Sequence, residues 1–107
     1  MKIRWLELSK NDIKAIHNFY AKDKSVRVAN NICNEIVQMS RSLSKFPYIA
    51  PIEFELTDKK GKEYRSLLVR KQYKVVYFIE DDFIYIAAVW DCRTDPQHNI
   101  GRISDNF

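Results

Sequence analysis

From Phe83 to Trp90 the chain reads FIYIAAVW, with no polar group except the Tyr85 hydroxyl. A short apolar run bounded by Glu80-Asp81-Asp82 and Asp91 suits a strand buried on both faces, at the centre of a sheet. Just before it, Tyr73, Val75, Tyr77 and Ile79 alternate with Lys74 and Glu80, interrupted by Val76 and Phe78. That pattern also describes a sheet whose second face is at least partly covered. The breaks at Arg70-Lys71-Gln72 and Glu80-Asp81-Asp82 are short and polar, as hairpin turns should be. Glu63 to Pro96 therefore predicts three consecutive antiparallel strands with a basic rim. The rest of the chain must cover one face of this meander.

Lys2 to Leu8 predicts a first strand. Ser9-Lys10-Asn11-Asp12 predicts a helix start, with Ser9 as N-cap and an acid three residues on. Ile13, Ile16, Phe19 and Tyr20 then recur at helical spacing, and His17 lies off that stripe, which makes it a surface histidine. Asp23-Lys24-Ser25 is a polar break, with Ser25 placed to cap a second helix. Ala29, Ile32, Cys33, Ile36, Val37 and Leu43 form that helix's apolar stripe, and Phe46-Pro47 ends it. So short a connection predicts an antiparallel helical hairpin. Ile52, Phe54 and Leu56 alternate with Glu53 and Glu55 and predict a further strand, with Asp58-Lys59-Lys60-Gly61 as a hairpin turn and Gly61 at positive φ. The expected order is β-α-α-β-β-β-β, an α+β domain over residues 1–96 with the helical hairpin on one face of a mainly antiparallel sheet. Residues 97–107 show no periodicity and read as a tail, with Ile100, Ile103 and Phe107 as candidates to dock.

At 107 residues and 46% hydrophobic content, the chain is long enough for one core and too apolar for disorder. No run approaches the roughly 18 uncharged apolar residues of a membrane span, and the N-terminus lacks a signal-peptide core. The expectation is a cytoplasmic protein. Cys33 and Cys92 are far apart and only His17 and His98 are present, which is too few ligands for zinc. With only two glycines there is no phosphate-cradling loop. No metal or cofactor is implied. The formal charge of +4 is concentrated locally: Lys59, Lys60, Lys62, Arg65, Arg70, Lys71 and Lys74 face only Glu63 between positions 59 and 74. That density suits a polyanion or an acidic protein segment, and equally a solvated pair of loops whose lysines guard sheet edges.

Several pieces together resemble the RelE/ParE superfamily of toxins from type II toxin–antitoxin modules. They are Trp5 in the opening strand, Ala29 early in the second helix, Leu43 with Phe46-Pro47 after it, and Tyr64-Arg65. Tyr73-Lys74-Val75-Val76-Tyr77 and the apolar strand running into Arg93-Thr94-Asp95-Pro96 complete the set. The resemblance implies a toxin neutralised by an acidic antitoxin that folds upon it, with operator DNA bound only through the antitoxin. Its two branches imply different activities: RelE-like members cut messenger RNA on the ribosome, and ParE-like members poison DNA gyrase.

Cutting RNA through its 2′-hydroxyl needs charge stabilisation at the phosphate, a base and an acid. Arg65 matches the arginine RelE-like nucleases place at the phosphate, with Arg93, Lys74 and Lys71 as helpers. A purely structural role for Arg65 would pair it with Glu53 or Glu55 on the neighbouring strand. Near the end of the last strand, where such nucleases often carry a histidine or tyrosine, this chain has Asp91. An aspartate with a pKa near ~3.9 is a poor base for a sugar hydroxyl and, once ionised, cannot donate to a leaving alkoxide. Asp91 is better suited to holding Arg93 or Arg65. The favoured expectation is a non-catalytic ParE-like toxin. The alternatives are an endoribonuclease using Arg65, Arg93 and Asp91, and an inactive relative that binds only its antitoxin. Arg65, Arg70, Lys71, Lys74 and Arg93 are the candidate antitoxin- or target-binding residues.

Overall fold

A computed structural model describes residues 1–103. The elements are β1 (Lys2–Trp5), α1 (Glu7–Asp23), α2 (Val26–Arg41) with a 3₁₀ turn at Ser42–Ser44, and α3 (Phe54–Lys60). They continue with β2 (Arg65–Val69), β3 (Tyr73–Glu80), β4 (Phe83–Asp91) and α4 (Pro96–Gly101). The sheet order is β1-β4-β3-β2, with β1 parallel to β4 and the other pairs antiparallel. The FIYIAAVW strand is thus internal, as its composition demands. Both hairpin turns fall at the polar breaks. Each has positive φ at its two central residues, Arg70 and Lys71 in one and Asp81 and Asp82 in the other, the geometry that matches strand twist.

Alternation along the strands divides the core in two. On one face Val69, Tyr73, Val75, Tyr77, Ile84, Ile86 and Val89 meet Ile32, Ile36 and Leu43 of the second helix and its 3₁₀ turn, with Ile13, Ile16 and Tyr20 of α1 half-buried alongside. On the other, Val76, Phe78, Ala88 and Trp90 pack with Tyr64, with Leu56 of α3, and with Ile100 and Ile103 from α4 and the residues after it. A β-bulge between Val76 and Tyr77 adjusts the register of β3 against β4. The helical hairpin forms as expected, and Ser25 caps α2 by accepting from the Val28 N–H at 3.1 Å.

Five local readings differ. Helix α1 begins at Glu7, not after Ser9, because the Leu6 N–H donates to the Ile86 carbonyl and the Leu6 carbonyl accepts from Lys10 to open the first turn. Ser9 is fully buried and its hydroxyl donates to the Leu6 carbonyl at 2.6 Å. Phe19, expected on the buried stripe, is exposed. The expected strand from Ile52 to Leu56 is a single bridge, Ile52 to Arg65, followed by helix α3. There the Glu53 N–H donates to Tyr64 and the Ser66 N–H to Pro51, so residues 51–53 pair with the start of β2 in two bonds. The chain then coils, which buries Leu56 on the second face, and Gly61 closes α3 at φ +73°. Asp58 to Gly61 is therefore a helix end and not a hairpin turn. After Pro96, where no periodic structure was expected, α4 forms. Its cap is Asp95, whose side chain accepts from the Gln97 N–H at 3.1 Å, and Pro96 stands at the helix start, where its missing N–H costs nothing. Phe107 lies outside the described residues. No helix among the described residues is long and apolar enough to cross a membrane.

Candidate functional site

The three residues expected of a nuclease, Arg65, Asp91 and Arg93, occupy two separate places. Arg65 opens β2, opposite Tyr77, on the face that carries the helical hairpin. Asp91 ends β4, opposite Tyr73 on the same face. Four residues along β3 and two strand spacings separate them, on the order of 15 Å. The structure thus brings Asp91 and Arg93 together and leaves Arg65 apart.

The Arg65 guanidinium is held by the main chain. Its Nη1 donates to the Ala50 carbonyl at 2.8 Å and to the Tyr48 carbonyl at 3.3 Å, and its Nη2 to Glu63 Oε1 at 2.9 Å. The Tyr48 ring lies 5.2 Å from the guanidinium carbon. The Tyr77 hydroxyl, donating to the Pro47 carbonyl at 2.7 Å, pins the same loop. The expected pairing with Glu53 or Glu55 does not occur. Glu53 serves Lys74 at 3.0 Å and Ser66 at 2.6 Å on the second face, while Glu55 accepts from Gln97.

Asp91 takes three bonds from one residue. The Arg93 backbone N–H reaches Oδ1 at 2.9 Å, Nε reaches Oδ1 at 3.1 Å, and Nη2 reaches Oδ2 at 2.8 Å. The Arg93 hydrogen bond holds the Asp91 carboxyl below its ordinary range, and the same bond holds Arg93 still more firmly protonated. Beside them Gln72 Nε2 donates to the Tyr20 hydroxyl at 2.9 Å and to the Tyr73 hydroxyl at 3.0 Å, and Tyr73 donates to Tyr20 at 3.2 Å. Burial, then the bond to Tyr20, pushes Tyr73 upward, whereas the bond from Tyr73 draws Tyr20 down. Tyr73 is therefore a neutral donor near neutral pH.

Tyr73, Asp91 and Arg93 line an open cavity of about 380 Å³ between α1, the end of β4 and α4. Phe19, His98, Thr94 and the Asp12–Arg102 pair complete its wall. Asp12 accepts from the Val89 N–H at 2.8 Å. The sequence alone puts His98 in a tail, yet α4 brings it to the same cavity as Tyr73, Asp91 and Arg93. The signal that finds it is Asp95-Pro96, a helix start, and not the polarity of the residues beyond Pro96.

The remaining cations are dispersed. Arg70 pairs with Glu35 of α2 at 2.9 Å, Lys74 lies on the second face with Glu53, and Lys71 is exposed on the first hairpin turn. The dense basic stretch in sequence thus becomes charges around the rim of the sheet, with Lys62, Arg65, Arg70 and Lys74 each paired with a carboxylate. Among the described residues no group of three or more metal-ligating side chains is found.

The sequence model for "ParE toxin of type II toxin-antitoxin system, parDE" matches residues 3–96. The chain belongs to the ParE toxin family. Its fold agrees with that assignment. A solved structure titled "Chromosomal ParDE TA system from P. aeruginosa" superposes with a TM-score of 0.64 at 16% identity, covering 85% of this chain and 95% of that one. At that identity the likeness concerns the fold alone. No curated protein sequence matches this one. As a ParE-family chain the protein is a toxin of the type II toxin–antitoxin class, with an antitoxin as its partner. The matched segment ends at Pro96, so it includes Arg65, Asp91 and Arg93 and stops at the first residue of α4.

Proposed function

We propose that this ParE-family toxin arrests growth by binding DNA gyrase and does not cut RNA. The observation carrying this reading is the state of Asp91. The carboxylate at the strand end, where a nuclease would need a proton acceptor or donor, is ionised and already accepts three hydrogen bonds from Arg93. Neighbouring Tyr73 is held protonated by burial. Asp91 and Tyr73 thus offer fixed charges and donors for a protein surface, and neither is poised for proton transfer.

Neutralisation by an acidic antitoxin chain belongs to the same proposal. Arg65, Arg70, Lys71, Lys74 and Arg93 lie at the sheet edge, the first turn, the second face and the end of β4. A compact ligand meets one or two of them, whereas an extended acidic segment that folds as it wraps the domain can meet each in turn. Operator DNA is bound only through that antitoxin.

One observation supports the nuclease alternative: His98, Tyr73 and Arg93 share a cavity. Induced expression in bacteria separates the readings. Filamentation and DNA damage with intact messenger RNA are expected, and co-expression of the antitoxin should abolish them. Messenger RNA cut at codons, with cutting lost in His98→Ala, would replace the gyrase reading with the nuclease one. Absence of any growth defect would leave a chain that binds only its antitoxin.

A further inference from the structure

Strand β2 begins at Arg65, opposite Tyr77, whereas β3 continues to Glu80. Phe78, Ile79 and Glu80 are thus paired with β4 on one side and run past the end of β2 on the other. In the place β2 leaves lies a cavity of about 340 Å³ lined by Tyr48, Glu63, Arg65, Phe78 and Ile79. Its walls are aromatic and aliphatic, and its charged groups are Arg65 and Glu63. Arg65 is largely buried (17% exposed), and its Nε–H is fully buried with no hydrogen-bond partner among the described residues. Glu63, in contrast, is 53% exposed and contributes one oxygen to Nη2.

We propose that this cavity is a carboxylate-accepting site whose place Glu63 fills in the free protein. The asymmetry of the pair supports it. The arginine is fixed by two main-chain carbonyls and covered by the Tyr48 ring, so it stays in place whether or not Glu63 is bound. The glutamate lies in solvent, and an exposed ion pair is weak. An incoming carboxylate, free to approach along the cavity, can bond both Nη2 and the unpartnered Nε, the side-on geometry arginine offers to carboxylates. Glu63 bonds only one of them.

The occupant is an acidic side chain on an extended peptide with apolar neighbours. Exposed Phe46, Tyr48 and Ile49 flank the loop that holds Arg65, and they would receive apolar residues on either side of the acid. Beyond the end of β2, half-buried Ile79 and exposed Glu80 of β3 favour an extended backbone alongside. This deepens the proposed antitoxin reading by naming the contact that one acidic residue of the partner would make, and by making Glu63 its internal competitor.

The test uses the ¹⁵N-labelled full chain and the Arg65 Nε–H resonance, assigned by its loss in Arg65→Lys. The probes are acetyl-Leu-Phe-Glu-Leu-Val-amide, its glutamine counterpart and inorganic phosphate. The glutamate peptide should shift this resonance, and the glutamine peptide should bind at least roughly tenfold more weakly. Glu63→Gln, a surface change that leaves the arginine's main-chain bonds intact, should tighten binding roughly two- to fivefold by removing an exposed competitor. Tyr48→Ala should weaken it. Equal binding of both peptides, a shift produced by phosphate and not by peptide, or unchanged or weaker binding in Glu63→Gln would each overturn the proposal. The antitoxin reading is tested apart from this titration, by whether co-expressed antitoxin abolishes growth arrest, so the two failures are read separately.

Discussion

Asp12 shows how much one side chain does in this domain. It accepts from the Val89 N–H and pairs with Arg102, tying α1 to β4 and to the residue that ends α4. Burial pushes its carboxyl above the ordinary value despite both partners. Asp12→Ala leaves the half-buried Val89 N–H without that acceptor and should cost about 1–3 kcal/mol in urea unfolding. Asp12→Asn keeps an acceptor and should cost less. Asp91 behaves oppositely. Its carboxyl is lowered by Arg93, so its contribution to stability is complete above the unfolded carboxyl value near ~3.9 and is lost as pH falls through the lower folded value. The stability gap between the parent and Asp91→Asn should therefore be constant from pH 7 to 5 and shrink below about pH 4. A gap that widened with acid would contradict this. At this scale the sequence was legible where partners are close in the chain. Ser25 with Val28, and Asp91 with Arg93, can be read from spacing. Asp12 with Val89 cannot, because nothing local announces a partner on another strand.

At the scale of elements, both hairpin turns place non-glycine residues in the left-handed region. Lys71 sits there at φ +59° and is exposed, so Lys71→Gly should relieve strain and raise stability by up to about 1 kcal/mol. Gly61 is the converse. It ends α3 at φ +73°, and an added Cβ would meet nothing within 4 Å, so Gly61→Ala carries only the backbone penalty, about 1–2 kcal/mol. Thermal unfolding of both variants gives opposite signs if the turn assignments are right. The three-strand meander and the helical hairpin were legible because their periodicities are long and unambiguous. Helix α3 was not. Ile52, Phe54 and Leu56 alternate as a strand does, and what turns the chain away from one is non-local: residues 51–53 pair with the start of β2 in two bonds, after which Leu56 is buried and Phe54 is exposed. Helix α4 was legible in Asp95-Pro96 and was obscured by the polar residues Gln97, His98 and Asn99.

For the whole molecule, the sheet separates residues that are neighbours in the chain. Adjacent cations diverge to different faces and ends, because neighbouring strand residues point oppositely and each turn reverses direction. Composition left a basic chain suited equally to an acidic partner or to solvated loops; only the fold shows that Arg65 and Arg93 lie in two places, one against Glu63 and one against Asp91. The family assignment rests on residues 3–96, and the central claim is that this toxin acts by binding gyrase and performs no RNA chemistry. The most direct measurement is a plasmid supercoiling reaction with purified gyrase and this protein, run beside a translating ribosome reaction primed with a defined messenger RNA. The account predicts dose-dependent loss of supercoiling, reversed by antitoxin, with the messenger RNA intact. Unimpaired supercoiling together with codon-specific cleavage of the messenger RNA would contradict it.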